Sequence, residues 1–309
     1  MLQNSSMSKA SCAILAAISA GWALCLFPAP VSAGTASSPH IAVGAQYDTT
    51  HVYANPAEVD KLVASLIATF GGASSKQIVA TVTPTPSSTT TQIVRTPSGT
   101  FSVFGFRTPI PYPFGLERNG YLVQDMDAAV RAAKAAGADV VVTPFPDPIG
   151  QDAVVQWPGG VNMQLYWHTT VPSYEALASI PENRIYVSPG RLKAFVRSFI
   201  TFSQGKIVSD DLHANGDEIG RPGDTFERVR IESPFGKMEV LATDGHLPYP
   251  YGREMTGYGV SALAETLARA EGSGARIVVA TRQIDDHESA IVEFPGGYLA
   301  EIHGPPSSH

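Results

Sequence analysis

Trp157-Pro158-Gly159-Gly160 reappears 137 residues later as Phe294-Pro295-Gly296-Gly297. Proline followed by two glycines punctuates a hairpin. Behind the first copy, Val161, Met163 and Leu165 alternate with Asn162, Gln164 and Tyr166, the pattern of a strand with one apolar face. Working outward, Gly120-Tyr121-Leu122-Val123 matches Gly257-Tyr258-Gly259-Val260. Thr96-Pro97-Ser98-Gly99 matches Ser233-Pro234-Phe235-Gly236. Both pairs keep the 137-residue offset. Three separated motifs at one offset define a tandem duplication.

A fourth pair, His51-Val52-Tyr53-Ala54-Asn55-Pro56 against Arg184-Ile185-Tyr186-Val187-Ser188-Pro189, has an offset of 133. Each is a short β-type run ending in an N-cap residue with proline at the first helical position. The change of offset places the length difference between helix and hairpin. There the Thr/Pro/Ser stretch 81–92 stands opposite a longer Gly/Asp stretch, 209–225, read as a loop.

Each copy divides again. Strand 49–54, helix 56–70 and strands near 77–82, 91–96 and 100–106 form one βαβββ unit. Strand 119–124, helix 126–136 and strands near 139–143, 152–156 and 161–167 form the next. The second copy repeats this over 183–242 and 255–303. The fold class is α+β, four βαβββ modules paired into two domains. Four free-standing units of roughly 60 residues would each be marginal without disulfides, which favours pairing.

The chain organises as leader 1–33, flexible lead-in 34–47, first domain 48–168, linker 169–181, second domain 182–304 and tail 305–309. Lys9, the apolar run Cys12 to Phe27 and the small residues Val31-Ser32-Ala33 read as a cleaved secretory signal. The run is short for a membrane anchor. The expectation is an exported chain, periplasmic or secreted, with no membrane association after cleavage. Both cysteines, Cys12 and Cys25, fall in the leader, so the remainder has no thiolate nucleophile, thiolate ligand or disulfide. A net charge of −7 without a basic run argues against nucleic acid. A small molecule is the expected partner. Monomer and homodimer are both open.

The stretch from Gly120 to Leu165 resembles the vicinal oxygen chelate superfamily: Val123-Gln124-Asp125-Met126-Asp127, Ala136-Gly137, the Pro-Gly-Gly turn and Gln164-Leu165. That superfamily includes glyoxalase I, extradiol dioxygenases and bleomycin-resistance proteins. The resemblance implies cupped sheets around a cavity. It also implies one divalent metal (Fe, Mn, Zn or Ni) on His, Glu or Gln from the first and last strand of each module. No organic cofactor is implied. In the first copy the ligand positions fall on His51, Val103, Arg118 and Gln164, with Glu117 available after a one-residue shift. In the second they fall on Arg184, Val240, Met255 and Glu301, of which only Glu301 can ligate.

Structural readings stand beside these. His51 reads as a metal ligand or a cavity base, or as a half-buried strand histidine bonded to a neighbour. Gln164 reads as a ligand or as a hydrogen-bond partner of a substrate, or as a polar residue on a solvated sheet face. Glu301 and His303 share a strand face and offer half a metal site, or Glu301 pairs with Arg184 in an ion pair. Tyr53, Tyr166, Tyr121 and Tyr258 line cavities or belong to the core. Asp210, Asp211, His213 and Asp217 read as a solvated loop. Two functions follow from the resemblance. One is a metal-dependent lyase or dioxygenase-type enzyme with its site in the first domain. The other is a metal-free protein that sequesters a small molecule.

Overall fold

The structure, a computed structural model, describes residues 40–306. The expected leader, 1–33, lies outside the described residues, as does the end of the tail. No helix among the described residues is long and apolar enough to cross a membrane.

The first module consists of β1 (Thr49–Tyr53), α1 (Val59–Phe70), β2 (Ala73–Ser74), β3 (Ile78–Ala80), β4 (Thr89–Thr96) and β5 (Gly99–Phe106). The second has β6 (Asn119–Leu122), α2 (Met126–Ala135), β7 (Asp139–Pro146), β8 (Gly150–Trp157) and β9 (Val161–His168). Together they make one sheet ordered β2-β4-β5-β1-β6-β9-β8-β7, with β3 on β4. The third module is β10 (Glu182–Val187), α3 (Pro189–Ser203), β11 (Lys206–Asn215), β12 (Thr225–Ser233) and β13 (Gly236–Ala242). The fourth is β14 (Met255–Gly259), α4 (Leu263–Gly272), β15 (Arg276–Ile284), β16 (His287–Phe294) and β17 (Tyr298–Gly304). These make the second sheet in the same order, β11-β12-β13-β10-β14-β17-β16-β15.

Local chemistry starts three of the four helices, α1 through the short helical turn Pro56–Glu58 that leads into it. Asn55 accepts from the Ala57 amide at 2.9 Å, and Asp125 from the Ala128 amide at 2.7 Å, satisfying donors that a helix start leaves open. Ser188 makes no side-chain cap; Pro189 sets the start of α3 alone.

The apolar faces of the sheets pack crosswise. Module one shares a core with module four: Leu62, Leu66, Phe70 and Phe101 meet Tyr258, Leu267 and Phe294. Module two shares a core with module three: Tyr121, Trp157 and Met163 meet Phe195, Phe199 and Phe235. Each tyrosine of the Gly-Tyr strands is therefore core, with its hydroxyl held across the sheets. Tyr258 donates to Thr50 at 2.8 Å, and Tyr121 accepts from Asn183 at 3.2 Å. Buried aromatics of this size contribute about 1.5–3 kcal/mol each, so the crosswise cores tie the two sheets together.

Three expectations are corrected. Val103 and Val240 are fully buried on the helix side, because alternation from Phe101 and Met238 puts them in the cores. Their neighbours Ser102 and Glu239 face the cups. The stretch from Ser209 is not a loop. Residues 206–215 form the edge strand β11, which turns into a short helix at Gly216–Ile219. Residues 41–47 are not a loose lead-in either. Ile41 and Ala42 are buried, Ala42 bridges to Val123, and the Tyr47 hydroxyl donates to Pro172 O at 2.8 Å.

Candidate functional site

The side of each sheet away from the helices forms a cup. In the first, His51 lies opposite Ser102 across β1 and β5, and Gly120 opposite Gln164 across β6 and β9. These four residues are the inward positions of the central strands. His51 is 3% exposed. A Cβ on Gly120 would lie 2.5 Å from His51 Nε2, so the ring rests over this glycine and its Nε2 edge reaches towards Gln164's strand. The Phe104 ring meets the imidazole edge-on at 5.4 Å.

The other ring nitrogen faces the protein interior. His51 Nδ1 is 3.8 Å from Glu117 Oε1 and has no hydrogen-bond partner. Glu117 is completely buried and accepts a hydrogen bond from the Tyr53 hydroxyl. Burial, then the Glu117 charge, pushes the Tyr53 phenol up, so it remains a donor. Glu117, offered by the sequence as a third ligand, thus stands behind the imidazole, on the Nδ1 side. At that distance the carboxylate acts on the ring through its charge and not through a hydrogen bond. Arg118 lies over the Tyr53 ring at 5.7 Å and, together with Glu254 and Tyr298, borders a second cavity of ≈ 340 Å³ between the sheets, which His51 also lines.

The first cup encloses ≈ 310 Å³. Gln164 and Tyr166 line it, as alternation along β9 requires. The Tyr166 hydroxyl is held by the Tyr47 backbone carbonyl. Sequence reasoning missed Asp152, which is 7% exposed on the cup wall. Burial and then the Asp147 charge raise its carboxyl well above the usual range, against a hydrogen bond from Gln164. A lone acid beside Ala153-Val154-Val155 was the available signal. His168 also lines the wall, its pKa lowered by burial.

The second cup has the same strands and different contents. Arg184 replaces His51 and lies 2.8 Å from Glu239, the residue opposite it across β10 and β13. The sequence pointed to Glu301 as Arg184's partner. The one-residue shift that turns Val240 inward-to-core brings Glu239 there instead. Glu301 accepts from Ser289 and is 2.8 Å from His303 Nδ1. Burial alone would raise the Glu301 carboxyl, but the His303 hydrogen bond and charge, with Arg184, hold it below the usual value. Arg230 bonds Glu239 at 3.1 Å and Arg228 bonds Glu218 at 2.5 Å. Met255 packs with Tyr251, Ile291 and Leu299. This network leaves ≈ 10 Å³, about the space of one water and too little for a ligand.

Among the described residues, no three His, Cys, Asp or Glu side chains converge as a metal-holding group. The first cup supplies an imidazole nitrogen from His51 and an amide oxygen from Gln164. These are donor types that divalent Fe, Mn, Zn and Ni accept. The remaining two inward positions, Ser102 and Gly120, bring a hydroxyl and no side chain.

No protein-family model and no curated protein sequence matches this chain. Solved structures do. A triple mutant of 4-hydroxymandelate synthase from Streptomyces coelicolor superposes with a TM-score of 0.58 at 10% identity, over 86% of this chain and 93% of that one. The 2,2',3-trihydroxybiphenyl 1,2-dioxygenase of Sphingomonas wittichii gives 0.52 at 13% identity, over 84% and 90%. The Mn(II)-bound glyoxalase of Novosphingobium aromaticivorans gives 0.50 at 14% identity, over 85% and 82%. With its two sheets of paired βαβββ modules, the chain has the vicinal oxygen chelate fold, twice in tandem.

Proposed function

We propose that the protein is a small-molecule enzyme of glyoxalase or dioxygenase type that works in the first cup. One contrast supports this. His51 Nε2 and Gln164 border an open cavity of ≈ 310 Å³, while their counterparts Arg184 and Glu301 are locked in ionic contacts around ≈ 10 Å³. A divalent ion on His51 and Gln164 would act as a Lewis acid towards neighbouring substrate oxygens. The chain's own part is to seat the imidazole between Phe104 and Gly120 and to surround the reactant with apolar wall. Known members of this fold differ widely in chemistry, so the assignment rests on the site and not on the fold.

Elemental analysis tests it. Protein incubated with excess Mn, Fe, Zn or Ni and then desalted should retain close to one ion per chain. Less than about 0.2 per chain would sink the metal-dependent reading, since even modest sites survive such a step.

A second reading has its own support. Only two of the four inward positions carry nitrogen or carbonyl-type donors, and Gln164 is already bonded to Asp152. On that reading the cup sequesters a small molecule without metal, and saturable binding would be unchanged by chelator. In either case, removal of residues 1–33 and export would put the activity outside the cytoplasm. N-terminal sequencing of the secreted or periplasmic fraction should then read from Gly34, and a retained Met1 in that fraction would contradict it.

A further inference from the structure

The wall of the first cup has a chemical bias that the metal question does not touch. Its far corner, formed by β8, β9 and the β7–β8 turn, carries Asp152 and Asp147. Asp147 Oδ1 accepts from the Ile149 amide at 3.1 Å, which fixes that carboxylate beside the mouth. No Lys, Arg or His forms an ion pair with either acid among the described residues. Among the described residues, the only lysine or arginine bordering the cup is Lys76, exposed at the opposite rim. Tyr166 stands opposite Asp152 across β8 and β9, Phe104 and Tyr174 line the rest of the cup, and Ile149 lies exposed beside Asp147. A buried carboxylate without a counter-charge is costly, and aromatic faces attract cations. Apolar wall, aromatic side chains and two acids with hydrogen bonds but no ion-pair partner among the described residues together suit one kind of guest.

Resting on the reading that this cup is the ligand cavity, we propose that it selects small organic cations: an ammonium group carried on an apolar or aromatic body. The ammonium lies at the Asp152–Asp147 corner. The body points across the cup towards His51, the end that carries the chemistry. Carboxylate-bearing molecules are excluded by the same two acids.

Three probes of equal shape test the charge: benzylamine, benzyl alcohol and benzoate, titrated calorimetrically into the full-length mature chain. Benzylamine should bind about 10- to 100-fold more tightly than benzyl alcohol, the worth of a charge-assisted hydrogen bond, and benzoate more weakly than both. Asp152→Asn should erase most of that preference and leave benzyl alcohol unchanged. Asp147→Asn, at the half-exposed mouth and safe for folding, should reduce it by roughly threefold, as a more solvated charge does. Ile149→Trp should weaken all probes by filling the entrance. If benzoate equals benzylamine while Ile149→Trp still weakens both, the cation preference is wrong and the cup stands. If Ile149→Trp alters no probe, or none binds, the cup is not the ligand cavity and the proposal falls with it.

Discussion

Arg184 lies 2.8 Å from Glu239 at the position where the first domain sets His51 beside Ser102. One scaffold thus carries an ion pair in one copy and a cavity-lining imidazole in the other. The pair is buried, with Arg184 and Glu239 side chains 11% and 2% exposed. Breaking such a pair from one side leaves an uncompensated charge. Glu239 also holds Arg230, so Glu239→Leu, which unpairs both arginines, should cost about 3–5 kcal/mol in urea unfolding, and Arg184→Met, which leaves Glu239 its Arg230 partner, should cost less. A loss within experimental error for Glu239→Leu would show that the second cup is not held by these ions.

Gly120 is where backbone serves the site. Its strand geometry is ordinary, yet a Cβ there would sit 2.5 Å from His51 Nε2 and 2.7 Å from Thr49 Oγ1. Gly120→Ala should displace the imidazole and weaken metal binding roughly tenfold or more, as loss of ligand orientation does. The sheet should survive, with little change in far-UV circular dichroism. Undiminished affinity would mean that the ring does not occupy this position when the site works.

Glu117 is predicted to act through His51. Glu117→Gln keeps the shape and removes the charge behind Nδ1, and should cost roughly 10- to 100-fold in metal affinity. Tyr53→Phe, which removes the hydrogen bond to that carboxylate, should move affinity in the same direction by less. If Glu117→Gln abolished binding outright while His51→Ala did not, Glu117 would be the ligand itself.

Stability should fall as pH rises through the neutral range. Burial, against the charge of Arg118, pushes the Glu254 carboxyl up to about 7. Burial and the Glu239 charge, against Arg184, do the same to Glu182. Carboxyls whose folded pKa exceeds the unfolded value bind protons more readily in the native state. Their stabilising contribution is complete below pH 4.5 and is lost as pH rises to about 7. Urea midpoints measured from pH 5 to pH 8 should decline, and Glu254→Gln should flatten the slope. A midpoint that rises over this range would contradict the assignment.

The fold was legible because its punctuation repeats. Pro-Gly-Gly turns, Gly-Tyr strands and capped helix starts are set by local backbone chemistry, so they survive duplication. The crosswise cores were not legible, since nothing local tells Leu66 that it will meet α4. Strand facing failed on β5 and β13 because Phe104 and Leu241 are apolar on the cup side, blurring the alternation around Ser102 and Glu239. β11 was hidden by composition: it is an edge strand, and its Asp210-Asp211 and Asn215-Gly216 resemble a turn. His51, Gln164, Tyr166, Arg184 and Glu301 were all found on cup-facing strands. Asp152 escaped because no repeat partner marks it, its counterpart being Ser289.

The most direct test compares metal stoichiometry in His51→Ala and Glu301→Gln after loading with Mn or Zn. Wild type and Glu301→Gln should retain about one ion per chain and His51→Ala essentially none, because a site missing its imidazole does not hold these metals. Retention by His51→Ala with loss in Glu301→Gln would move the site to the second cup and contradict the account.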